Sequence, residues 1–257
     1  MLGQRLSRVS CELVRDMELS NLQPMAQPTV SYREWTQPVL DAAVKCLLAD
    51  QPKGNADLRD QLLLLPTRQA GRRLREALAW EMHERGGALF PPMTTTPWRL
   101  VRPSEDVAPE LACLWHWETT LAQVDLEQFR NLFPRPPEDN VWQRQMARQL
   151  HELRATLAEN GLDFAAVAES GHCPEEAARW RDLKKLEATY RKSLGESVDR
   201  HDAQRAAAGQ PELPPEIQRV IVMAVPDLPV NVQCALEELL VKGMPVELMV
   251  FGPAGGE

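Results

Sequence analysis

The segment LLLLPTRQAGRRLREAL, residues 62–78, contains the pattern that decides the fold. Four consecutive leucines closed by Pro66 are typical of a short strand that is buried on both faces of a parallel sheet. Thr67 stands where a helix N-cap is expected, and apolar residues at helical spacing after it predict the buried face of a helix. Strand, tight turn and helix together form half of a β-α-β unit.

The same alternation returns near the end of the sequence. Residues 220–225 and 246–251 are short and apolar, with several valines, which predicts two more buried strands. An amphipathic helix is expected between them, with Gly243 at its end. Strand, helix and strand in this order predict a parallel crossover connection. We therefore expect an α/β fold with a parallel sheet.

Between these parts the sequence is helical in character. It predicts a mostly helical insert in which one helix buries a face made of Trp142, Met146, Leu150, Leu153 and Leu157. The expected organisation is a poorly ordered leader of residues 1–30, an α/β domain of residues 31–103 and 206–257, and a helical insert of residues 104–205. Within the α/β domain, we expect Thr36 to cap the first helix and residues 91–103 to form an extended connector.

Composition excludes several classes of protein. With 44% hydrophobic and 26% charged residues, the chain is neither disordered throughout nor fibrous. It has no apolar run of membrane-spanning length and no signal-like start, so we expect no membrane partner and a cytoplasmic location. The five cysteines are widely spaced without a C-x-x-C pair, which is typical of reduced thiols rather than of disulfides or a zinc site.

Motifs for common chemistries are absent from the sequence. It contains no G-x-x-x-x-G-K-[ST] loop, no G-x-G-x-x-G and no G-x-S-x-G elbow, so it predicts no catalytic residue, no metal ligand and no cofactor. Whether the chain belongs to an enzyme stays open at this point.

Two acidic positions leave alternatives open. Asp227 follows a predicted strand, where α/β proteins often bind a ligand or a metal, but it could simply support the turn. The run Asp199-Arg200-His201-Asp202 suits either a metal phosphohydrolase or a polar end of the helical insert. No histidine in the sequence completes a recognised metal-ligand spacing with this run.

Charge is more informative than these single residues. The net charge is −8, yet residues 66–102 carry seven arginines against three glutamates, and residues 104–139 carry eight acids against two arginines. Arginines at the start of a helix bind phosphate groups well, because their guanidinium forks act together with the free backbone N–H groups. The alternative is an ordinary solvated helix face.

Residues 62–75 resemble the LLPTRRAARALRE segment near the start of AddB-type proteins, the helicase-like and nuclease-bearing subunits of bacterial ATP-dependent exonucleases that process DNA double-strand breaks. Later segments of the sequence resemble the same family, in the same order along the chain. Trp180 with Leu183, Tyr190 and Leu194, followed by residues 199–203, resembles another stretch of that family, as do the strands at 220–225 and 246–251. The resemblance covers residues 30–253.

This resemblance implies a parallel sheet like domain 1A of superfamily 1 helicases, interrupted by the helical insert. It also implies that Thr67, Arg68, Arg72 and Arg73 contact the DNA backbone. Asp227 then occupies a vestigial Walker-B-like position, since Leu228 replaces the second acid. Without a P-loop, the domain would be an ATPase-inactive scaffold that binds DNA and an AddA-like helicase-nuclease subunit.

The sequence departs from the family in one major respect. The nuclease domain of the PD-(D/E)XK family, expected far towards the carboxyl end of a longer chain, has no counterpart among these 257 residues. The chain would therefore be an amino-terminal fragment or a stand-alone remnant, and any nuclease activity would lie outside it. Two other functions stay open: a small-molecule enzyme on a doubly wound α/β sheet, using Asp227, and a pure protein-interaction module.

Overall fold

The computed structural model describes residues 27–52, 54–103, 107–135, 141–171 and 174–253. The described chain forms two compact units. One is an α/β unit of residues 27–102, 208–228 and 232–253, and the other is a helical unit of residues 103–207 with residues 229–231.

Five strands of the α/β unit form one sheet in the order β1-β7-β6-β3-β5, and every pairing in it is parallel. Two further short strands, β2 and β4, pair in parallel with each other. In chain order the strands are β1 Thr29–Glu34, β2 Ala56–Asp57, β3 Gln61–Leu64, β4 Leu89–Phe90, β5 Met93–Thr95, β6 Arg219–Met223 and β7 Val246–Gly252.

The described residues contain eight α-helices. They are α1 Val39–Leu47, α2 Arg68–Glu84, α3 Glu110–Gln123, α4 Trp142–Glu159, α5 Phe164–Ser170, α6 Ala177–Ser193, α7 Arg200–Gly209 and α8 Val230–Val241. None of these helices is long and apolar enough to cross a membrane.

The sheet has an apolar layer on each face, which explains the continuous apolar runs in the sequence. Leu63 and Ile221 belong to a core that includes residues of α1 and α2. Their neighbours Leu62 and Val220 belong to a second core that includes residues of α8. Because successive side chains in a strand point to opposite faces, a strand buried on both faces has no polar alternation.

The helical unit has its own core. It is centred on Trp117 of α3 and Tyr190 of α6, whose rings are stacked with centroids 3.9 Å apart, and both side chains are fully buried. Phe164, Leu150 and Leu186 belong to the same cluster. This unit therefore does not depend on the sheet for its own hydrophobic core.

Several sequence-based expectations need correction. The expected leader of residues 1–30 lies outside the described residues except for its end, and there Thr29 and Val30 begin strand β1 instead of continuing a poorly ordered segment. Thr36 does not cap the first helix, whose N-cap is Pro38, without a side-chain hydrogen bond. The expected connector at residues 91–103 contains strand β5 and a 3₁₀ turn, Pro97–Arg99.

The buried face of α4 differs from the predicted one by a rotation about the helix axis. Its fully buried residues are Ala147, Leu150, Arg154 and Ala158. Of the five predicted residues only Leu150 is fully buried, and the other four pack partly exposed at the edge of the core. Arg154 can be buried on this face because it forms ion pairs there with Glu187, Asp199 and Asp202.

Candidate nucleic-acid interface

The carboxyl ends of the parallel strands bring three loops to one edge of the sheet. The loop after β3 leads into α2, the loop after β5 is the 3₁₀ turn, and the loop after β6 carries Asp227. The ends of β3 and β5 lie side by side, since the N–H of Leu65 donates to the carbonyl of Thr95 at 2.8 Å. In open α/β sheets this edge is where ligands bind.

Thr67 forms the start of α2. Its backbone is extended, with φ −142° and ψ 155°, and its Oγ1 accepts a hydrogen bond from the N–H of Ala70 at 3.0 Å. The N-cap predicted for Thr67 is therefore confirmed. The N–H groups of Arg68 and Gln69, in the first turn, have no acceptor within the helix, and they lie at its electropositive end.

The arginines of α2 do not all lie on one face. Arg68, Arg72, Arg73 and Arg75 are all exposed. Spacings of four and seven residues bring Arg68, Arg72 and Arg75 onto one stripe, here called the arginine stripe. Arg73 lies about 100° further round the helix than Arg72, so it is not part of that stripe.

Arg72 has an ion-pair partner. Its Nε lies 2.8 Å from Oε1 of Glu76, one turn further along, and both side chains are well exposed. This hydrogen bond raises the pKa of Arg72 above its ordinary value. Exposed pairs of this kind contribute little free energy, so Arg72 can exchange Glu76 for another anion. In the part of the chain that is described, Arg68, Arg73 and Arg75 form no ion pair.

Gly71 allows α2 to approach the sheet closely. A Cβ atom at this position would lie 2.9 Å from Oγ1 of Thr94 on β5, which is closer than van der Waals contact permits. The helix can therefore rest against β5 only because residue 71 has no side chain. The start of α2 and the turn after β5 follow the ends of two strands that pair with each other.

That turn carries Trp98, whose exposed ring sequence reasoning overlooked, and Arg99, which was counted among the seven arginines of residues 66–102. Trp98 is 41% exposed, and Arg99 beside it is exposed as well. The turn was expected to be an extended connector, so nothing marked Trp98 as part of the carboxyl edge. The available signal was a tryptophan and an arginine directly after a Thr-Pro pair, which is a common start of a helical turn.

Asp227 lies in the exposed loop after β6. The chain bends there because Ala224 has a left-handed backbone with φ 52°, an unusual conformation for a residue other than glycine. Asp227 lines a cleft of about 400 Å³ that is otherwise mostly apolar, with Val225, Leu228 and Leu236 among its walls. No group of three or more possible metal ligands occurs among the described residues.

The run of residues 199–202 lies in the helical unit, where its two carboxylates bind an arginine. Arg154 Nε donates to Glu187 at 2.6 Å, its Nη2 donates to Asp202 at 2.9 Å, and its Nη1 donates to Asp199. The side chains of Arg154, Glu187 and Asp199 are almost wholly buried. Between the two alternatives for this run, the geometry favours the polar end of the helical insert.

Burial and charge shift the pKa values in this cluster in opposite directions. Burial alone would raise the pKa of Asp199, but Arg154 and hydrogen bonds from Tyr190 and the N–H of His201 outweigh it, so the pKa is lowered. For Arg154, burial would lower the pKa, but Asp199 and Asp202 outweigh it and the pKa is raised. The pKa of His201 is lowered, mainly by burial. The cluster is therefore a charged, internally satisfied structural network.

No protein-family model matches this chain, and no curated protein matches its sequence. The functional assignment of the carboxyl edge therefore depends on the geometry and chemistry of its own residues.

Proposed function

We propose that this chain is a DNA-contacting scaffold that binds the phosphate backbone of single-stranded DNA at the carboxyl edge of its sheet. The observation that carries the proposal is the start of α2, where free backbone N–H groups and the arginine stripe meet. Both features attract phosphate groups, and neither depends on a catalytic motif.

The turn after β5 supports a single-stranded ligand. Exposed aromatic side chains beside positive charge are the usual means of binding single strands, since bases stack on the ring while cations follow the backbone. Trp98 supplies the ring in the turn after β5, the strand that pairs with β3, and the arginine stripe supplies the cations. A double-stranded ligand offers no free base for Trp98 to stack on.

The resemblance to AddB-type proteins suggests the biological process in which this DNA binding takes part. In our proposal the α/β unit corresponds to domain 1A of a superfamily 1 helicase that has lost its ATPase motif. The chain holds DNA in break processing, together with an AddA-like helicase-nuclease subunit, and Asp227 is the remnant of a Walker-B position. Cleavage of DNA would belong to a nuclease domain of the PD-(D/E)XK family.

One surface of the helical unit suits the partner subunit. Leu111 and Trp115 of α3 are 81% and 61% exposed, and four-residue spacing brings them onto the same face of the helix. Large exposed apolar side chains that adjoin in this way are typical of protein-binding surfaces.

The DNA proposal is tested by the salt dependence of binding. We expect a fluorescein-labelled oligo(dT) to bind the whole chain, with fluorescence anisotropy as the measurement. If three arginines each neutralise one phosphate, the logarithm of the affinity should fall with the logarithm of salt concentration with a slope of about −2. Between 50 and 200 mM salt this slope corresponds to about a 20-fold loss of affinity.

Two variants locate the site. Replacing both Arg68 and Arg75 by alanine should reduce the slope to about −0.7, because only Arg72 remains on the stripe. The control is Arg85→Ala, which removes one positive charge at the opposite end of α2, about 25 Å from Arg68. Equal slopes in the double variant and the control would refute the assignment of the arginine stripe.

The cleft beside Asp227 favours a second candidate function, that of a small-molecule enzyme. A mostly apolar cleft with a carboxylate at a strand end is a common form of ligand site. On this alternative, Asp227→Asn abolishes turnover or binding of a small molecule and leaves the salt dependence of DNA binding unchanged. Loss of DNA binding in Asp227→Asn, with no other ligand found, would count against it.

A further inference from the structure

A second cleft lies in the α/β unit between helix α1 and the sheet. Its volume is about 580 Å³, which is within the range of pockets that hold metabolite-sized ligands. Its sheet wall includes Gln61, Arg219 and Glu247, near the amino ends of β3, β6 and β7. None of its lining residues belongs to the loops after β3, β5 and β6.

The polar residues of the sheet wall lie on the same face of the sheet as apolar core residues further along the same strands. By the two-residue period of a strand, Gln61, Arg219 and Glu247 point to the same side as the core residues Leu63, Ile221 and Met249. Ala42 and Ala49 line the helical side of the cleft, and their short side chains leave space that larger ones would fill. The cavity is thus a gap in the layer between α1 and the sheet, with an apolar back formed by Ile221 and Met249.

The floor of the cleft is held rigid by hydrogen bonds. Arg219 forms an ion pair with Glu247, whose other carboxylate oxygen accepts a hydrogen bond from Ser31 Oγ at 2.8 Å. Glu247 is only 8% exposed, so its charge is balanced by Arg219 instead of by water. Gln61 Oε1 is buried there without a hydrogen-bond partner in the described chain, and such an atom favours a ligand that donates an N–H or O–H.

The mouth of the cleft carries two cations that lack carboxylate partners among the described residues. Arg33 Nε donates to the thiol of Cys46 at 3.1 Å, and Lys45 Nζ donates to the amide oxygen of Gln37 at 2.8 Å. Both partners are neutral, so the positive charges stay uncompensated. Asp50 is the remaining acid on the lining and is exposed. The mouth therefore favours an anionic group.

From these features we infer that the cleft binds a small phosphate monoester of the size of a mononucleotide. The phosphate binds Arg33 and Lys45, because two cations suit a dianion better than a single carboxylate. Hydroxyl or amino groups of the same ligand donate to Gln61 Oε1, and its apolar part packs against Ile221 and Met249. This site goes beyond the proposed DNA interface and does not depend on it.

The test measures the binding of adenosine 5′-monophosphate to the whole chain by isothermal titration calorimetry. We expect saturable binding with one site, weaker binding of inorganic phosphate and weakest binding of adenosine. The variant Arg33→Gln with Lys45→Gln should lower the affinity for adenosine monophosphate at least about tenfold, since two charge-assisted hydrogen bonds are lost. The control Arg85→Gln, an exposed arginine of α2 paired with Glu81, should keep the wild-type affinity.

Alkylation of Cys46 gives an independent measure of occupancy. Its thiol is half-buried and lies on the cleft wall, so bound ligand should slow its reaction with iodoacetamide, as followed by mass spectrometry of the peptide that contains it. Protection in the wild type and its loss in the Arg33→Gln, Lys45→Gln variant support the site. Absence of protection at a saturating ligand concentration would overturn it.

One further comparison separates this cleft from the DNA interface. If Arg68→Ala with Arg75→Ala abolishes adenosine monophosphate binding while Arg33→Gln with Lys45→Gln preserves it, the nucleotide occupies the arginine stripe and the inference is wrong. The reverse pattern supports the cleft, whether or not oligo(dT) binds. No saturable binding of the nucleotide at low salt would also refute the inference.

Discussion

Replacing Arg154 by methionine should destabilise the helical unit far more than replacing any exposed arginine. Methionine removes the guanidinium while keeping most of the side-chain volume. The carboxylate of Asp199 is then left buried without its cation, while Glu187 and Asp202 each lose one of their two arginine partners. Breaking a buried ion pair by removing one partner costs about 3–5 kcal/mol, because the remaining charge is uncompensated.

The pH dependence should reverse in this variant. In the wild type the pKa of Asp199 is lowered, so Asp199 contributes stability that is complete above its unfolded-state pKa and is lost as the pH falls through the folded-state value. Without Arg154, burial dominates and raises that pKa above the unfolded-state value. The variant should therefore gain stability as the pH falls from neutral, where the wild type is unchanged or loses stability.

Urea unfolding followed by tryptophan fluorescence measures both effects, since Trp117 is stacked on Tyr190 within the same core. Arg130→Met is the matched control, because its ion pair with Glu127 is well exposed and should contribute less than about 1 kcal/mol. Similar losses in the two variants, or the same sign of pH dependence in wild type and Arg154→Met, would refute the reasoning.

Three further predictions concern the α/β unit, each measured as the change in the free energy of unfolding in urea. Thr67→Ala should cost about 1 kcal/mol through loss of the cap on Ala70, and Thr67→Ser should restore it; an unchanged value for alanine would show that the cap contributes nothing. Leu63→Ala should cost about 2–5 kcal/mol, because Leu63 is completely buried on β3, and a cost below 1 kcal/mol would contradict that burial. Ala224→Gly should stabilise the protein by up to about 1 kcal/mol by relieving the left-handed backbone, whereas destabilisation would contradict the backbone angle.

Burial on both faces made the central strands predictable. The sequences of strands β3, β6 and β7 are mostly apolar because a hydrophobic core lies on each face of the sheet. Edge strands carry no such signal. Most of β1 is exposed, and β5 has only three residues, so neither produced a recognisable pattern.

The candidate site was predictable where a local rule applied. Thr67 was identified because an N-cap depends on residues close by in the sequence. Trp98 was overlooked, and Arg99 was counted only as part of the basic segment, since the position of their turn at the carboxyl edge depends on the pairing of β3 with β5. Pairing of distant strands is not encoded in any one segment.

Arg154 shows why hydrophobic periodicity does not predict a buried charged residue. It lies four residues after Leu150 and four before Ala158, in the register of the buried face, but an arginine there is normally counted as solvent-exposed. Its partners come from residues 187, 199 and 202, far along the chain. The only sequence signal was its position in that register.

The most direct test of the central claim is the salt dependence of oligo(dT) binding by the whole chain, compared with the Arg68→Ala, Arg75→Ala variant. The account predicts a slope of about −2 for the wild type and about −0.7 for the variant. Binding that is absent at 50 mM salt, or a slope that is the same in both proteins, would contradict the assignment of the carboxyl edge as a DNA interface.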